Sequence, residues 1–317
     1  MLKQKLIAGI AASLLLAGCG ARKTIRLGTA PKGGTYYAFG KQLQEIARNE
    51  HMEIDVRTTS GSMANLRLLS KGYIQAGISQ SDQISLNYYS NSNPLQGYSS
   101  IASLYTEEIQ IAVLADSDIK SVEDLEGKHV SIGQEESGTA DNAKAVLRAY
   151  GMSGDNVRFH YMNYAEATSA LLKKEISAMF ITAGTPVSAL SSLSEQTRIR
   201  LLPLNRKVMV RLQNTYPYYT ETVIPKGTYA GVDQDVPTLG IRAILLASDQ
   251  LPEETVYRLT AMLFSHSDEF RQSLGINTPL SSDSVLEGVT IPLHKGAARY
   301  YAEQGIDTEF LGIKENK

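Results

Sequence analysis

From residue 24 onward the chain alternates between two hydrophobic patterns. Short runs rich in β-branched and apolar residues predict strands at 24–29, 53–59, 76–80, 100–105, 109–115, 129–133, 157–162, 178–182, 198–204 and 239–247. Between them, apolar residues recur at helical spacing. Residues 36–49 place Phe39, Leu43, Ile46 and Ala47 on one face. The helices predicted at 62–71 and 140–150 stop at Gly72 and Gly151, where a residue without Cβ turns the chain out of the helix. Asn163-Tyr164-Ala165-Glu166 has the spacing of a reciprocal helix cap, and Pro252-Glu253-Glu254 puts a proline and two acids in a first helical turn. A polar stretch at 90–98 reads as a loop. This alternation predicts an α/β protein with mostly parallel strands.

Two of the runs, Ile109-Gln110-Ile111-Ala112-Val113-Leu114-Ala115 and Leu239-Gly240-Ile241-Arg242-Ala243-Ile244-Leu245-Leu246-Ala247, are read as crossings between two lobes. The first ends at Asp116-Ser117-Asp118, after which a new strand-and-helix series begins. The expected division is 24–113 with 239–317 as lobe I, and 114–238 as an inserted lobe II. Two linkers permit hinge closure about a cleft.

The start of the chain has a different pattern. A basic stretch, Met1-Leu2-Lys3-Gln4-Lys5, precedes an apolar run too short for a stop-transfer helix. Residues 1–18 read as a signal peptide. Leu16-Ala17-Gly18-Cys19 looks like a bacterial lipobox, with Cys19 as the lipid attachment point. Cys19 is the sole cysteine, so no disulfide forms within the chain. Residues 19–23 make a lipidated tether whose last four residues reach on the order of 14 Å, holding the folded body close to a membrane surface. The formal charge of −2 falls to about −4 when Lys3 and Lys5 leave with the leader, which gives no footprint for nucleic acid. No later apolar run predicts a transmembrane helix.

Chemistry concentrates at three helix starts. Gly33-Gly34-Thr35 follows the first strand, Ser60-Gly61-Ser62 precedes the helix carrying Asn65, and Ser137-Gly138-Thr139 follows the strand at 129–133. Glycine allows positive φ and close approach to the backbone. A helix N-terminus offers unpaired N–H groups and a partial positive charge. Each stretch alone is equally a tight turn with a hydroxyl cap. Their split across the two lobes, at the strand ends where α/β sheets bind ligands, points to one cleft that holds a carboxylate without a lysine. Catalytic machinery is not evident. The five histidines have no metal-binding spacing, and there is no nucleophile elbow or Walker sequence. Glu107-Glu108 and Glu135-Glu136 read as solvated loop acids. Tyr216, Tyr218 and Tyr219 around Pro217 read as packing or a pocket wall.

The chain also resembles the TAXI solute receptors, the binding proteins of tripartite ATP-independent periplasmic (TRAP) transporters. The matching stretches are Leu27-Gly28-Thr29 with Gly33-Gly34-Thr35-Tyr36-Tyr37, Ser60-Gly61-Ser62 with Asn65, Gly77-Ile78-Ser79-Gln80-Ser81-Asp82, Leu104-Tyr105-Thr106-Glu107, Asp124-Leu125-Glu126-Gly127-Lys128, Ser137-Gly138-Thr139, Gly184-Thr185-Pro186, and His294-Lys295-Gly296-Ala297 with Arg299-Tyr300-Tyr301. They occur in family order from about residue 25 to 305. The resemblance implies a two-lobed periplasmic-binding-protein fold of type II, with hinge strands between the lobes. It implies a small organic acid or acidic amino acid in the cleft, such as glutamate or 2-oxoglutarate, handed to a TRAP membrane permease. By position, Gly34, Thr35, Tyr36, Ser60, Asn65 and Gln80 would line lobe I, and Ser137, Gly138, Thr139, Gly184 and Pro186 lobe II. Ala30-Pro31-Lys32 departs from the family's glycine-rich run, so Lys32 would add a charge to the cleft or alter its mouth. The implied protein is a lipoprotein of the cell envelope, without cofactor, metal or catalytic residue. A sensory lipoprotein and an enzyme on the same fold are the alternatives.

Overall fold

The computed structural model describes residues 24–90, 96–276 and 280–308. The expected signal peptide, Cys19, the tether and the middle of the 90–98 loop lie outside the described residues.

Along the chain the elements are β1 (Ile25–Gly28), α1 (Thr35–Asn49), β2 (Ile54–Arg57), α2 (Ser62–Ser70), β3 (Ala76–Gln80), α3 (Ser81–Tyr88) and β4 (Tyr98–Leu114). Then follow β5 (His129–Ser131), α4 (Gly138–Ala149), β6 (Arg158–His160), α5 (Tyr164–Leu172), β7 (Ala178–Ala183), α6 (Ser188–Gln196), β8 (Ile199–Leu201), α7 (Arg206–Thr215) and β9 (Thr220–Ile224). The chain returns through β10 (Val236–Ser248) and ends in α8 (Glu253–Ser265), α9 (Ser267–Leu274) and α10 (Lys295–Glu303).

All ten strands belong to one sheet, in the order β2-β1-β3-β10-β4-β7-β5-β6, with β8 on β4 and β9 on β10. The outer strands pair in parallel, β1 with β2 and β3, and β5 with β6 and β7. The two central strands are antiparallel to every partner, which corrects the expectation of a mostly parallel sheet. The runs at 100–105 and 109–115 are one strand, β4, not two.

β4 and β10 change packing partners along their length. Up to Tyr105 in β4, and from Ala243 in β10, side chains join a core built with Leu27, Phe39, Leu259 and Tyr301. Phe39 stacks on Phe270 there, with centroids 4.5 Å apart and planes at 9°. From Ile109 in β4, and back to Ile241 in β10, they join cores built within 109–241. In that segment β4 and β7 are covered on both faces: Ile109, Ile111 and Phe180 enter one core, Ala112, Met179 and Ile181 the other. This is the period-2 alternation of a doubly buried strand. The changeover falls on the polar residues Thr106, Glu107 and Glu108 in β4 and on Arg242 in β10.

Local signals explain the helix boundaries nearest the site. Asn163 and Glu166 form the reciprocal cap of α5 that their spacing predicts. Ser137 caps α4 by accepting from the Ala140 N–H. α1 and α2 begin on glycines, Gly34 and Gly61, with no side-chain cap.

Candidate ligand site between the two halves

The three glycine-containing helix starts meet. The junction of β1 and α1 contributes Ala30, Thr35 and Tyr36, and that of β2 and α2 contributes Ser60, Gly61 and Ser62. Gln80 ends β3, and Glu107 lies at the changeover in β4. From the inserted segment come Ser137, Gly138, Thr139, Tyr164, Thr182 and Ala183. The space between these groups is about 20 Å³, room for about one water molecule. Any larger molecule reaches these groups only when the two sides separate.

The two sides are tied by hydrogen bonds. Thr35 Oγ1 donates to Gly184 O at 3.0 Å, and Ser188 Oγ and Ala189 N donate to Gly33 O at 2.9 and 3.1 Å. The Ala64 N–H, in the first turn of α2, donates to Glu136 O at 3.1 Å. Arg67 grips the Glu136 carboxylate with two bonds of 2.8 and 2.7 Å. Asn142 Nδ2 donates to Asp82 at 3.3 Å, and Tyr218 OH to Ser85 Oγ at 2.8 Å. Each joins a residue of the 24–106 stretch to one of the inserted segment, so the molecule is described in a closed arrangement.

Of the residues expected at the site, Thr35, Tyr36, Ser60, Gln80, Ser137, Gly138 and Thr139 share this cavity wall. Gly34, Asn65, Gly184 and Pro186 do not. The Asn65 side chain is spent on structure: its Nδ2 donates to Thr29 O and Ile78 O at 2.7 and 2.8 Å, and its Oδ1 accepts from Thr59 Oγ1 at 2.7 Å. It pins α2 to the ends of β1 and β3. Gly34 lies against Tyr164, and Gly184 offers its carbonyl to Thr35. Pro186 is exposed, as is Lys32, which adds no charge to the cavity wall. Tyr216 and Tyr219 line a separate pocket of about 420 Å³ beside Asp82 and Asp141.

The residue that sequence reasoning missed is Glu107. It is 2 % exposed and accepts from Tyr36 OH at 2.9 Å. Burial pushes its carboxyl up to about 8; hydrogen bonds from Tyr36 and Gln80 offset part of this, and the nearby Asp82 and Glu108 carboxylates add to it. Glu108, on the opposite face of β4, is pushed up by burial to about 7, and Asp82 to about 6. A signal for Glu107 was present in the alternation: Tyr105, Glu107 and Ile109 point the same way, and both flanking residues are buried core. Tyr36 and Tyr164, also walling the cavity, have phenols pushed up first by burial and then by Glu107.

Two polar atoms of this wall have no hydrogen-bond partner, Gln80 Oε1 and Thr182 Oγ1, on side chains 2 % and 4 % exposed. Buried polar atoms are rarely left without a partner, because each costs about 1–3 kcal/mol. Their position on the cavity wall suits a guest that supplies the missing bonds.

Comparison with known proteins places this geometry in context. The NMT1-like family profile matches residues 27–305. Among solved structures, the periplasmic binding protein BugD superposes with TM-score 0.56 at 13% identity, covering 90% of this chain and 98% of that one. A protein from Bordetella bronchiseptica RB50 gives TM-score 0.53 at 17% identity, covering 90% and 82%. The alkanesulfonate-binding protein SsuA from Xanthomonas axonopodis pv. citri, bound to MOPS, is a remoter likeness, with TM-score 0.47, 15% identity and coverage of 88% and 83%. With the family profile spanning nearly all the described residues and the fold matching a periplasmic binding protein over most of its length, the chain belongs to the NMT1-like family and has the two-lobed, type II periplasmic-binding-protein fold.

Proposed function

We propose that this protein is an extracytoplasmic solute receptor that captures a small carboxylate, of the glutamate or 2-oxoglutarate kind, between its lobes and delivers it to a TRAP-type permease. One observation carries the reading: the N-termini of α1, α2 and α4, drawn from both sides of the cleft, line one small cavity. The first-turn N–H groups of each helix have no partner inside the helix and favour an anion. Gly34, Thr35, Tyr36, Ser60, Gln80, Ser137, Gly138 and Thr139 form or flank this anion site, Asn65 and Gly184 support it from behind, and Pro186 stands exposed outside it. The ordered stretches from residue 25 to 305 that resemble TAXI receptors favour the permease as partner.

The lobes pivot in β4 and β10 where the cores exchange, at residues 106–108 and at 242, a few residues inside the expected first lobe of 24–113 with 239–317, whose partner is 114–238. A ligand that touches both lobes stabilises the closed arrangement and shifts the population toward it. Cys19 carries the lipid that keeps the receptor at the membrane; among the described residues no helix is long and apolar enough to cross one. Binding and release, without turnover, is the whole activity.

The test is a thermal-shift screen of the protein lacking residues 1–19 against amino acids and mono- and dicarboxylates. A ligand present at 100 times its Kd adds about 2.7 kcal/mol to stability and raises Tm. Absence of any shift at millimolar concentrations would remove the receptor reading. For the anchor, the expected result is that the full-length protein partitions with membranes and a Cys19→Ser variant does not.

A further inference from the structure

We infer that the ligand carries an ammonium group beside its carboxylate, as an α-amino acid does, and that Glu107 is the residue that selects it. The inference rests on the receptor reading above and narrows its ligand class.

A carboxylate needs only the positive ends of α1, α2 and α4. The rest of the wall is built for the opposite charge. Glu107, Gln80 and Thr182 all line it, and Gln80 Oε1 and Thr182 Oγ1 have no hydrogen-bond partner. No residue of the wall is lysine, arginine or histidine. The charged groups that press on Glu107 are Asp82, at the start of α3, and Glu108, its neighbour in β4, and both are acids. The other titratable groups facing it are the phenols of Tyr36, Tyr105 and Tyr164, from α1, β4 and α5. A ligand with carboxylates alone brings no donor for the unpartnered Gln80 Oε1. An ammonium group has three donors, and Glu107, Gln80 and Thr182 supply acceptors of the matching number and sign. A metal ion would need more oxygen or nitrogen donors in one place than this wall gathers; among the described residues no three histidine, cysteine, aspartate or glutamate side chains form such a group.

The rival chemistry on the same wall is a protonated Glu107 that donates to a ligand carboxylate. The two differ in proton traffic. Glu107 holds its proton up to about pH 8, so an ammonium guest displaces it at neutral pH, whereas an oxo-acid guest keeps it in place.

The experiment is calorimetric titration at pH 7 with matched pairs that differ only in the ammonium group: L-glutamate against 2-oxoglutarate, L-alanine against pyruvate, L-leucine against 4-methyl-2-oxopentanoate. At least one amino acid is expected to bind ten or more times tighter than its oxo partner. Repeating that titration in buffers of different ionisation enthalpy should show net release approaching one proton per ligand. Glu107→Gln should reduce the preference for the amino member at least tenfold and abolish the proton release. The proton count uses the unaltered protein, so the proposal stays testable if the variant folds poorly. An oxo acid bound as tightly as or tighter than its amino partner, or binding with no proton release, overturns the proposal and leaves the receptor reading intact. If no member of any pair and no other carboxylate binds, both fall together.

Discussion

Replacing Glu107 by glutamine in the ligand-free protein should change how stability depends on pH, by an amount that follows from where the carboxyl sits. In the unfolded chain this group has an ordinary value near 4.5, and in the fold burial raises it to about 8. The sign follows from proton binding. Below pH 4.5 both states hold the proton, and the folded state has its full stability. Between pH 4.5 and about 8 the unfolded chain has released the proton while the folded protein keeps it. Stability therefore falls with rising pH, at about 1.4 kcal/mol per pH unit from this group alone. Over the whole window the loss is on the order of 5 kcal/mol. Above pH 8 both states are ionised and the dependence flattens.

Glutamine has the same shape and still accepts from Tyr36, but it carries no proton to lose. Urea unfolding followed by circular dichroism at one-unit steps from pH 5 to 9 compares the two proteins. Asp82 and Glu108 are also raised, to about 6 and about 7, and both proteins retain them, so the difference between the curves reports Glu107 together with its coupling to these two acids. The wild-type curve should fall more steeply than that of the variant through pH 5–8, leaving Glu107→Gln several kcal/mol more stable at pH 8. Parallel curves would mean that Glu107 titrates like a solvated acid, and the argument from burial would then be wrong.

Four further outcomes are expected. Gly138→Ala puts a Cβ into the space of Gln80 Oε1 and 2.9 Å from Ser62 Oγ; it should hold the lobes apart, seen as a larger radius of gyration by small-angle scattering and at least tenfold weaker ligand binding. Gly138 opens α4 without a positive φ, so alanine fits its backbone and the variant's Tm should not fall with them. Asn65→Ala strips partners from Thr29 O, Ile78 O and the Thr59 hydroxyl, and should lower unfolding stability by roughly 3 kcal/mol in a denaturant titration. Thr35→Val loses the bond to Gly184 O, which exists only with the lobes together; at about 1 kcal/mol this should weaken ligand binding roughly fivefold by calorimetry. Arg67→Ala breaks an ion pair whose partners are 44% and 46% exposed, so unfolding at low and high salt should register a change no larger than about 1 kcal/mol.

The elements that sequence pattern located are those whose burial is one-sided and regular. α1 sends Phe39, Leu43, Ile46 and Ala47 inward at helical spacing, and the interior of β7 alternates between two cores. The failures share a cause. Polar residues that are buried look, in sequence, like solvent-facing ones. α3 buries Ser81, Asp82, Gln83 and Ser85, with Asp82 and Ser85 bonded to Asn142 and Tyr218 of the inserted segment, so it has no apolar stripe to reveal it. Thr106-Glu107-Glu108 splits the hydrophobic run of β4 and hides the fact that one strand passes through both halves. β9 pairs with β10 yet leaves most of its side chains exposed, so its edge position erased the alternation. For the site, glycine and hydroxyl residues marked the helix starts, whereas the acid at its floor was set aside because a second acid follows it.

The Gly33-Gly34-Thr35 stretch shows why a turn and an anion site were a false choice. Gly33 has φ of +90°, a turn conformation that disfavours side chains, and its carbonyl receives both Ser188 and Ala189 from the inserted lobe. Gly34 has an ordinary φ of −96°, so its backbone would accept alanine; what excludes a side chain is Tyr164, whose Cε2 would lie 2.5 Å from a Cβ. Gly138 repeats the arrangement from the opposite side, where Gln80 fills the space of the missing Cβ. At Gly34 and Gly138 the absent side chain belongs to the contact between lobes, not to the local turn. The same bareness leaves the first-turn amides of α1 and α4 facing a common space. Closure and the proposed anion binding thus make one demand on these residues: the helix ends must approach each other more closely than any side chain allows. Glycine therefore stands at both faces of the cleft, while the larger polar groups, Glu107 and Gln80, come from β4 and β3, whose positions the sheet fixes.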